Sequence, residues 1–377
     1  MATKKESLKE RLRKSGSLAA TYAKDAPEIK HGEGCPNEIP ALNIAFRGCI
    51  DKGLSKGLTQ FCGKSSTFKT LFALLAAKAY VDYWKAKGEE PAVFFYSNEH
   101  GATEEYFLSV GLDLEDIIYI PFVGISDLTH DVANRIEEIN KGDRVFTIID
   151  SIGMAGSKKE TDDLLSNNEK VDMTRAKKLN TFARVVTPHL VPKELSMILI
   201  NHIYVDQSVT YIKYIVSGGE KLYLASNKVW IIVAKQMTED IKGKKEKIGK
   251  YFEILIDKSR FVRAYAKIPI GVRFDGGIIP YSGMFEIAVE SGHIVQASKG
   301  FYSYSDEKFE TKTPHKKLRR KEIESSDEFW EPILAEQEFK DYVYNRFALS
   351  GDLQKAKEIA EDRFEDDEIV IKSDVEK

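Results

Sequence analysis

The run Gly63-Lys64-Ser65-Ser66-Thr67-Phe68-Lys69-Thr70 closes a short apolar segment and opens a long Ala- and Leu-rich one. A loop in that setting can hold phosphate. Backbone N–H groups and the start of a helix take the oxygens, a lysine reaches the terminal phosphates, and a hydroxyl meets Mg²⁺. Lys69 and Thr70 fill the last two roles, but Phe68 stands where a second glycine is expected. Further on, the apolar run 145–149 ends in Asp150-Ser151. A carboxylate delivered at a strand end can hold the same Mg²⁺ through its water shell. Between the two, residues 93–96 lead into Ser97-Asn98-Glu99-His100-Gly101. Glu99 is placed to polarise a water attacking a terminal phosphate. His100 has neither a metal ligand nor a nucleophile beside it in the sequence and reads as structural. Together these residues indicate a nucleotide site.

Such residues need a scaffold. Apolar runs at 58–62, 93–96, 145–149 and 197–200 alternate with helical patterns at 69–87 and 104–111. Short continuous apolar strands between helices indicate a parallel sheet covered on both faces. Residues 230–234 and 251–257 read as a hairpin joined by a loop over 242–250 that carries five lysines. Residues 1–24 read as a charged helix too polar to stand alone, and a Gly- and Pro-containing linker over 25–38 leaves it to find another surface, such as a neighbouring subunit. From Asp275, Gly-rich turns precede helical spacing at 285–291 and 329–349, a small second domain followed by an acidic tail.

Composition sets the class. The 377 residues carry 56 Lys+Arg against 59 Asp+Glu and are 42% hydrophobic, which excludes disordered, collagenous and coiled-coil chains. The apolar run 71–77 is far short of the ~20 residues that span a bilayer, and the Lys-rich start lacks an apolar signal core. Neither a membrane nor a secreted protein is expected. Cys35, Cys49 and Cys62 show no CxxC spacing and read as reduced cytoplasmic thiols rather than zinc ligands. The net charge of −3 hides an asymmetry: residues 350–377 hold 5 basic and 10 acidic side chains, leaving 51 against 49 in the body.

In combination, these segments resemble the RecA family of DNA recombinases, most closely the UvsX recombinases of tailed phages. The resemblance runs through Ile39-Pro40, Phe95-Tyr96, Asp150-Ser151-Ile152-Gly153, Asp172-Met173-Thr174-Arg175, Val186-Thr187-Pro188 and Ile200-Asn201-His202. It continues through Asp257-Lys258-Ser259-Arg260, Phe274-Asp275-Gly276-Gly277 and Pro280-Tyr281-Ser282-Gly283. It implies an α/β fold: a RecA-like P-loop ATPase core over 39–274, with a mostly parallel central sheet flanked by helices. An N-terminal oligomerisation arm over 1–38, a small α+β C-terminal domain over 275–349 and the tail 350–377 complete it. Phe68 then becomes a feature of the phage branch instead of a defect.

The resemblance also implies roles. Gly63 to Thr70 and Tyr106 bind ATP, the tyrosine by stacking on adenine, and Thr70 and Asp150 hold Mg²⁺. Glu99 and Lys69 are catalytic, and His202 senses the terminal phosphate where bacterial members usually carry Gln. Lys258 and Arg260 supply cations to the ATP of an adjacent subunit. Two mobile loops, 154–172 and 203–219, bind DNA, with Lys158, Lys159, Arg175, Tyr211, Lys213 and Tyr214 as contacts. The alternation at 211–216 also suits a β-hairpin, but the loop reading is preferred because Gly218-Gly219 precedes a short helix. The implied activity is a DNA-dependent ATPase that forms helical filaments on single-stranded DNA and pairs it with homologous duplex. Single-strand-binding and loading proteins are the implied partners and the bacterial host cytoplasm the implied location. A hexameric replicative helicase is the competing reading, and a DNA-coating protein without turnover the third.

Overall fold

The computed structural model describes residues 8–15, 22–25, 34–156, 174–206, 208, 212–241, 243–309 and 315–349. In chain order the helices are α1 (Leu8–Lys14), α2 (Pro40–Arg47), α3 (Lys69–Lys85), α4 (Glu104–Ser109), α5 (Ile125–Glu138) and α6 (Thr174–Leu190). They continue as α7 (Glu220–Ala225), α8 (Met284–Glu290), α9 (Arg320–Glu324), α10 (Asp327–Ala335) and α11 (Gln337–Phe347). The strands are β1 (Gly57–Gly63), β2 (Pro91–Ser97), β3 (Ile117–Pro121), β4 (Arg144–Asp150), β5 (Ser196–Asn201), β6 (Ile203–Val205) and β7 (Tyr214–Val216). After them come β8 (Lys228–Ile241), β9 (Lys244–Lys258), β10 (Lys267–Arg273), β11 (Gly277–Ile278), β12 (Ile294–Ser298) and β13 (Phe301–Tyr304).

A nine-stranded sheet runs β11-β10-β9-β8-β1-β5-β4-β2-β3. From β8 to β3 every neighbouring pair is parallel, and β9, β10 and β11 add an antiparallel flank. The mostly parallel sheet flanked by helices is the expected α/β architecture. β1 is central and buried throughout, so its carboxyl end delivers the Gly63 loop into the middle of the edge where β4, β5 and β2 also end. That edge is where ligands bind in open parallel sheets.

Each face has its own core. On one, α3 is buried along Leu71, Phe72, Leu74, Ala77, Tyr80 and Val81, and that core runs on into Phe285, Trp330, Ile333, Phe339 and Val343. On the other, α5 and α6 bury Leu128, Val132, Phe182 and Val186 against Ile149 and Leu199. An Ala- and Leu-rich segment buried nearly all round is stable as a helix in such a layer.

Three local expectations change. The lysine-rich segment 242–250 is largely strand: β8 and β9 pair from Val229↔Lys258 out to Ile241↔Lys244, with Gly243 in the left-handed turn. Backbone pairing carries the ladder through a mostly polar and charged stretch, much further than the apolar residues suggest. The base of the 203–219 segment is a hairpin, β6 with β7, so the reading set aside from sequence holds there. The helical stretch 329–349 is two helices, α10 and α11, separated at Glu336, whose backbone is extended (φ −66, ψ 127). The β12–β13 hairpin was not expected from the sequence.

Candidate nucleotide and DNA site

The Gly63 loop is tight at both ends. A Cβ on Gly63 would lie 2.5 Å from Thr67 Oγ1 and 2.8 Å from the Ile232 carbonyl oxygen, so only glycine fits. Ser66 and Phe68 take left-handed backbone (φ 60 and 57), and Phe68 is the residue that caps α3, with no side chain bonded to the helix start. The first-turn N–H groups are thus left to a ligand. Phe68 meets Phe252 of β9 in a stack, 4.6 Å between centroids, which offsets the cost of a side chain in the left-handed region. Lys69 is buried and its Nζ donates to the carbonyls of Gly63 (3.1 Å) and Lys64 (2.8 Å). Burial lowers its pKa. Lys64, Ser65 and Ser66 face solvent, and Thr67 Oγ1 donates to the Lys64 carbonyl at 2.8 Å.

Across the edge, Thr70 Oγ1 donates to Asp150 Oδ2 at 2.8 Å. Burial pushes the Asp150 carboxyl up to about 6, against the opposing hydrogen bond from Thr70. A desolvated carboxylate beside a hydroxyl, with Glu99 near, is a donor set that suits Mg²⁺ held with its waters. The Asp150–Ser151 peptide is cis. Glu99 leaves the end of β2 and accepts a hydrogen bond from Ser151 Oγ, while His202 Nε2 lies 3.5 Å from Glu99 Oε1. That is an ion-pair distance rather than a hydrogen bond, and Nε2 is otherwise buried without a partner. The His202 ring, with the Ser151 hydroxyl, holds the Glu99 carboxyl below its usual value. Tyr106 on α4 is half-buried, and burial, with the Asp150 charge, raises its phenol to about 12. The structure therefore gathers Lys69, Thr70, Glu99, Asp150 and His202 at one sheet edge. His100 turns away to Tyr119, 3.2 Å from its hydroxyl.

Sequence reading gave no role to the polar residues behind this edge. Asn98 Oδ1 accepts the Ser151 N–H at 2.8 Å and fixes the junction after β4. Asn201 Nδ2 donates to Gln60 Oε1 (2.9 Å) and to the Ser217 carbonyl (2.8 Å), while its Oδ1 accepts the His202 N–H (2.8 Å). Gln60, polar inside an otherwise apolar run, was the signal available. Gly153 lies directly under His202: a Cβ there would be 2.6 Å from His202 Cδ2 and 3.0 Å from Asn201 Oδ1. Arg175 at the start of α6 donates to the carbonyls of Gly153 (2.6 Å) and Ala155 (3.1 Å), so its guanidinium is engaged within the chain.

Lys158, Lys159 and Tyr211 lie outside the described residues, as do 157–173 and the acidic tail. Lys213 is exposed, with Nζ 3.7 Å from Asp206 Oδ2, and Tyr214 lines a groove of about 930 Å³ between β6–β7 and the outer face of β8 and β9. Tyr204, Tyr223 and Tyr265 share that groove. Lys258 and Arg260 are not at the phosphate edge. Lys258 pairs level with Val229, whereas Gly63 is level with Ile232 and hence with Ile254. Four residues of β9 separate the two levels, ~13 Å along the strand, and two strand spacings add ~10 Å across. Lys258 Nζ donates to the Tyr223 (3.0 Å) and Leu224 (2.8 Å) carbonyls at the end of α7, and Arg260 is exposed.

Comparison with known proteins narrows the reading. The family described as the C-terminal domain of the bacteriophage T4 recombination and repair protein matches residues 281–343. The T4 recombination and repair protein is itself 34% identical over 316 residues, covering 83% of this chain and 78% of that protein. The chain belongs to that family. Protein RecA of Lactococcus lactis subsp. cremoris is 25% identical over 272 residues, 71% of this chain and 66% of RecA. The chain is accordingly a RecA-like recombinase, and the helicase reading finds no support among these relatives. Membership also places ATP with Mg²⁺ and DNA as the ligands to be accommodated, and the gathered edge has the groups for the first. Among the described residues, no helix is long and apolar enough to cross a membrane, and no group of three or more His, Cys, Asp or Glu could hold a metal ion by itself.

Proposed function

We propose that this chain is an ATP-dependent recombinase whose subunits polymerise head to tail on single-stranded DNA and exchange it with homologous duplex. Lys69 and the open start of α3 take the phosphates, and Thr70 and Asp150 hold Mg²⁺, which supplies charge neutralisation when bound. Glu99 orients the attacking water, and Tyr106 stacks on the base. His202, in contact with Glu99 and seated on Gly153, links the occupied site to loops 154–172 and 203–219. Lys158, Lys159, Arg175, Tyr211, Lys213 and Tyr214 are the proposed DNA contacts; Arg175 would have to release the Gly153 and Ala155 carbonyls first.

The observation that carries the filament reading is the separation of Lys258 and Arg260 from the phosphate edge of their own chain. A cation that stabilises the transferred phosphoryl must touch it. These two can do so only in another subunit, and a heterologous contact that does not close produces a helix. The N-terminal arm 1–38 would dock that neighbour: α1 leaves Leu8 and Leu12 each 60% exposed. Single-strand-binding and loading proteins are the proposed accessory partners.

Electron microscopy with circular single-stranded DNA and an ATP analogue, paired with strand exchange on homologous and heterologous duplex, tests this. Helical filaments and homology-dependent exchange are expected, with Lys69→Ala removing turnover and exchange together. Closed rings that unwind duplex, or normal hydrolysis in Lys69→Ala, would overturn it.

A further inference from the structure

We infer that the amino-terminal edge of the sheet, opposite the nucleotide site, holds a separate site for inorganic phosphate. The inference goes beyond the recombinase reading and does not depend on it.

Strands β1 and β5 begin side by side at Gly57↔Ser196, and β4 begins at Arg144. Beneath these starts lies a cavity of about 200 Å³, closed by the last turns of α3 and by residues 34–35 and 54–56. α3 opens at the phosphate loop with Lys69, so fifteen residues, ~22 Å of helix, separate that loop from Trp84. Three cations line the cavity, Lys56, Lys87 and Arg144, against one carboxylate, Glu194.

Two donors in this wall are unused. Arg144 Nε and Trp84 Nε1 are buried with no hydrogen-bond partner among the described residues. The other nitrogens of Arg144 are committed, Nη1 to Glu194 at 3.4 Å and Nη2 towards Glu89 at 3.8 Å, and its guanidinium lies 3.7 Å from the centre of the Trp84 ring. The group beside the Trp84 N–H is the Cys35 thiol, a weak acceptor that lines the same cavity. Ser55 is 4% exposed, and its Oγ accepts from Lys228 Nζ at 2.9 Å, which leaves its own O–H to donate. A buried donor without an acceptor is costly, so two around one cavity mark a missing acceptor.

The chemistry of the wall selects that acceptor. Arginine and indole nitrogens only donate, and the excess of lining cations makes the ligand an anion. At the end of α3 the carbonyls of Asp82, Trp84 and Lys85 accept N–H groups of residues 86–89, which blunts the repulsion that the carboxyl end of a helix offers an anion. Arg144 and Lys87, whose Nζ lies 5.5 Å from the Trp84 ring, already rest on that ring, so it is not left for a base to stack on. Donors come from α3, from β4 and from the segment before β1, more directions than the two oxygens of a carboxylate can meet. A tetrahedral phosphate meets them. The cavity is also smaller than the ~300–1,000 Å³ of pockets that take drug-sized ligands, so inorganic phosphate fits whole and a nucleotide does not.

The chain has three tryptophans, and neither Trp230 nor Trp330 lines this cavity. Protein labelled with 5-fluorotryptophan therefore carries its own reporter in fluorine NMR, with the Trp84 signal assigned by Trp84→Phe. Titration with potassium phosphate, at an ionic strength held constant with potassium chloride and without nucleotide or DNA, should shift that signal saturably and leave the other two in place. Half-saturation should rise about 10-fold or more in Arg144→Lys, which keeps the charge and lacks Nε, and several-fold in Lys87→Gln, a change at an exposed residue. Lys69→Ala should leave the Trp84 response unchanged. No saturable shift, a shift that chloride alone reproduces, or a wild-type response in both Arg144→Lys and Lys87→Gln overturns the proposal. A response lost in Lys69→Ala overturns it too, because the phosphate would then sit at the nucleotide loop.

Discussion

Phe68 shows how a single residue can depart from a motif without losing its function. Glycine is the usual occupant because the backbone there is left-handed, and Phe68 holds that geometry at φ 57. The side chain is useful because its ring stacks on Phe252 and joins the phosphate loop to β9. Phe68→Gly removes a half-buried aromatic contact, which outweighs the ~1 to 2 kcal/mol of backbone strain it relieves. The variant should be less stable by about 1–2 kcal/mol in urea unfolding, and a more stable variant would show that the stack contributes little. The types and order of the nucleotide-site residues were legible in sequence because phosphate chemistry restricts what can stand there. Gln60, Asn98 and Asn201 were not, since an isolated amide carries no motif and gains its role only from what it faces across two strands.

At the scale of elements, the junctions after β4 and β5 are packed against each other. Gly153 has no room for a Cβ because His202 and Asn201 occupy that space, and Asn201 in turn holds the Ser217 carbonyl at the far end of β7. A nucleotide that moves Glu99 and His202 therefore pushes on both segments. Gly153→Ala should retain ATP binding but lose several-fold in DNA stimulation of turnover, measured as ATPase rate with and without single-stranded DNA. Stimulation equal to wild type would show that the two junctions move independently. The alternation at 211–216 did signal the β6–β7 ladder, but Gly218-Gly219 before a short helix weighed towards a loop, and the pairing with 203–205 is not encoded locally. The long β8–β9 ribbon was misread because its outer residues are polar on both faces, so no apolar alternation marked them.

For the whole molecule, the decisive feature is that Lys258 stands far in register from the phosphate loop of its own chain, so the proposed catalytic site is completed only between subunits. Mixing Lys258→Ala subunits, which retain Glu99, with Glu99→Gln subunits, which retain Lys258, should restore part of the ATP turnover that each lacks alone. Turnover in the mixture no greater than the sum of the separate variants would place the complete site within one subunit. The acidic tail follows Leu349, whose N–H donates to the Phe261 carbonyl at 2.8 Å, one residue from Arg260. Leu349 is therefore fixed beside the exposed Arg260 that the trans reading uses.

The sequence by itself determined the layered α/β class, the order of the phosphate loop, the glutamate and the aspartate, and the segregation of charge, because these depend on residue type and local period. Only the tertiary structure decided which side chains meet. Strand order brings Thr70 to Asp150 and His202 to Glu99, and register carries Lys258 away from its own phosphate loop. Distances across a sheet follow from pairing between segments far apart in the chain, and local composition does not encode that pairing.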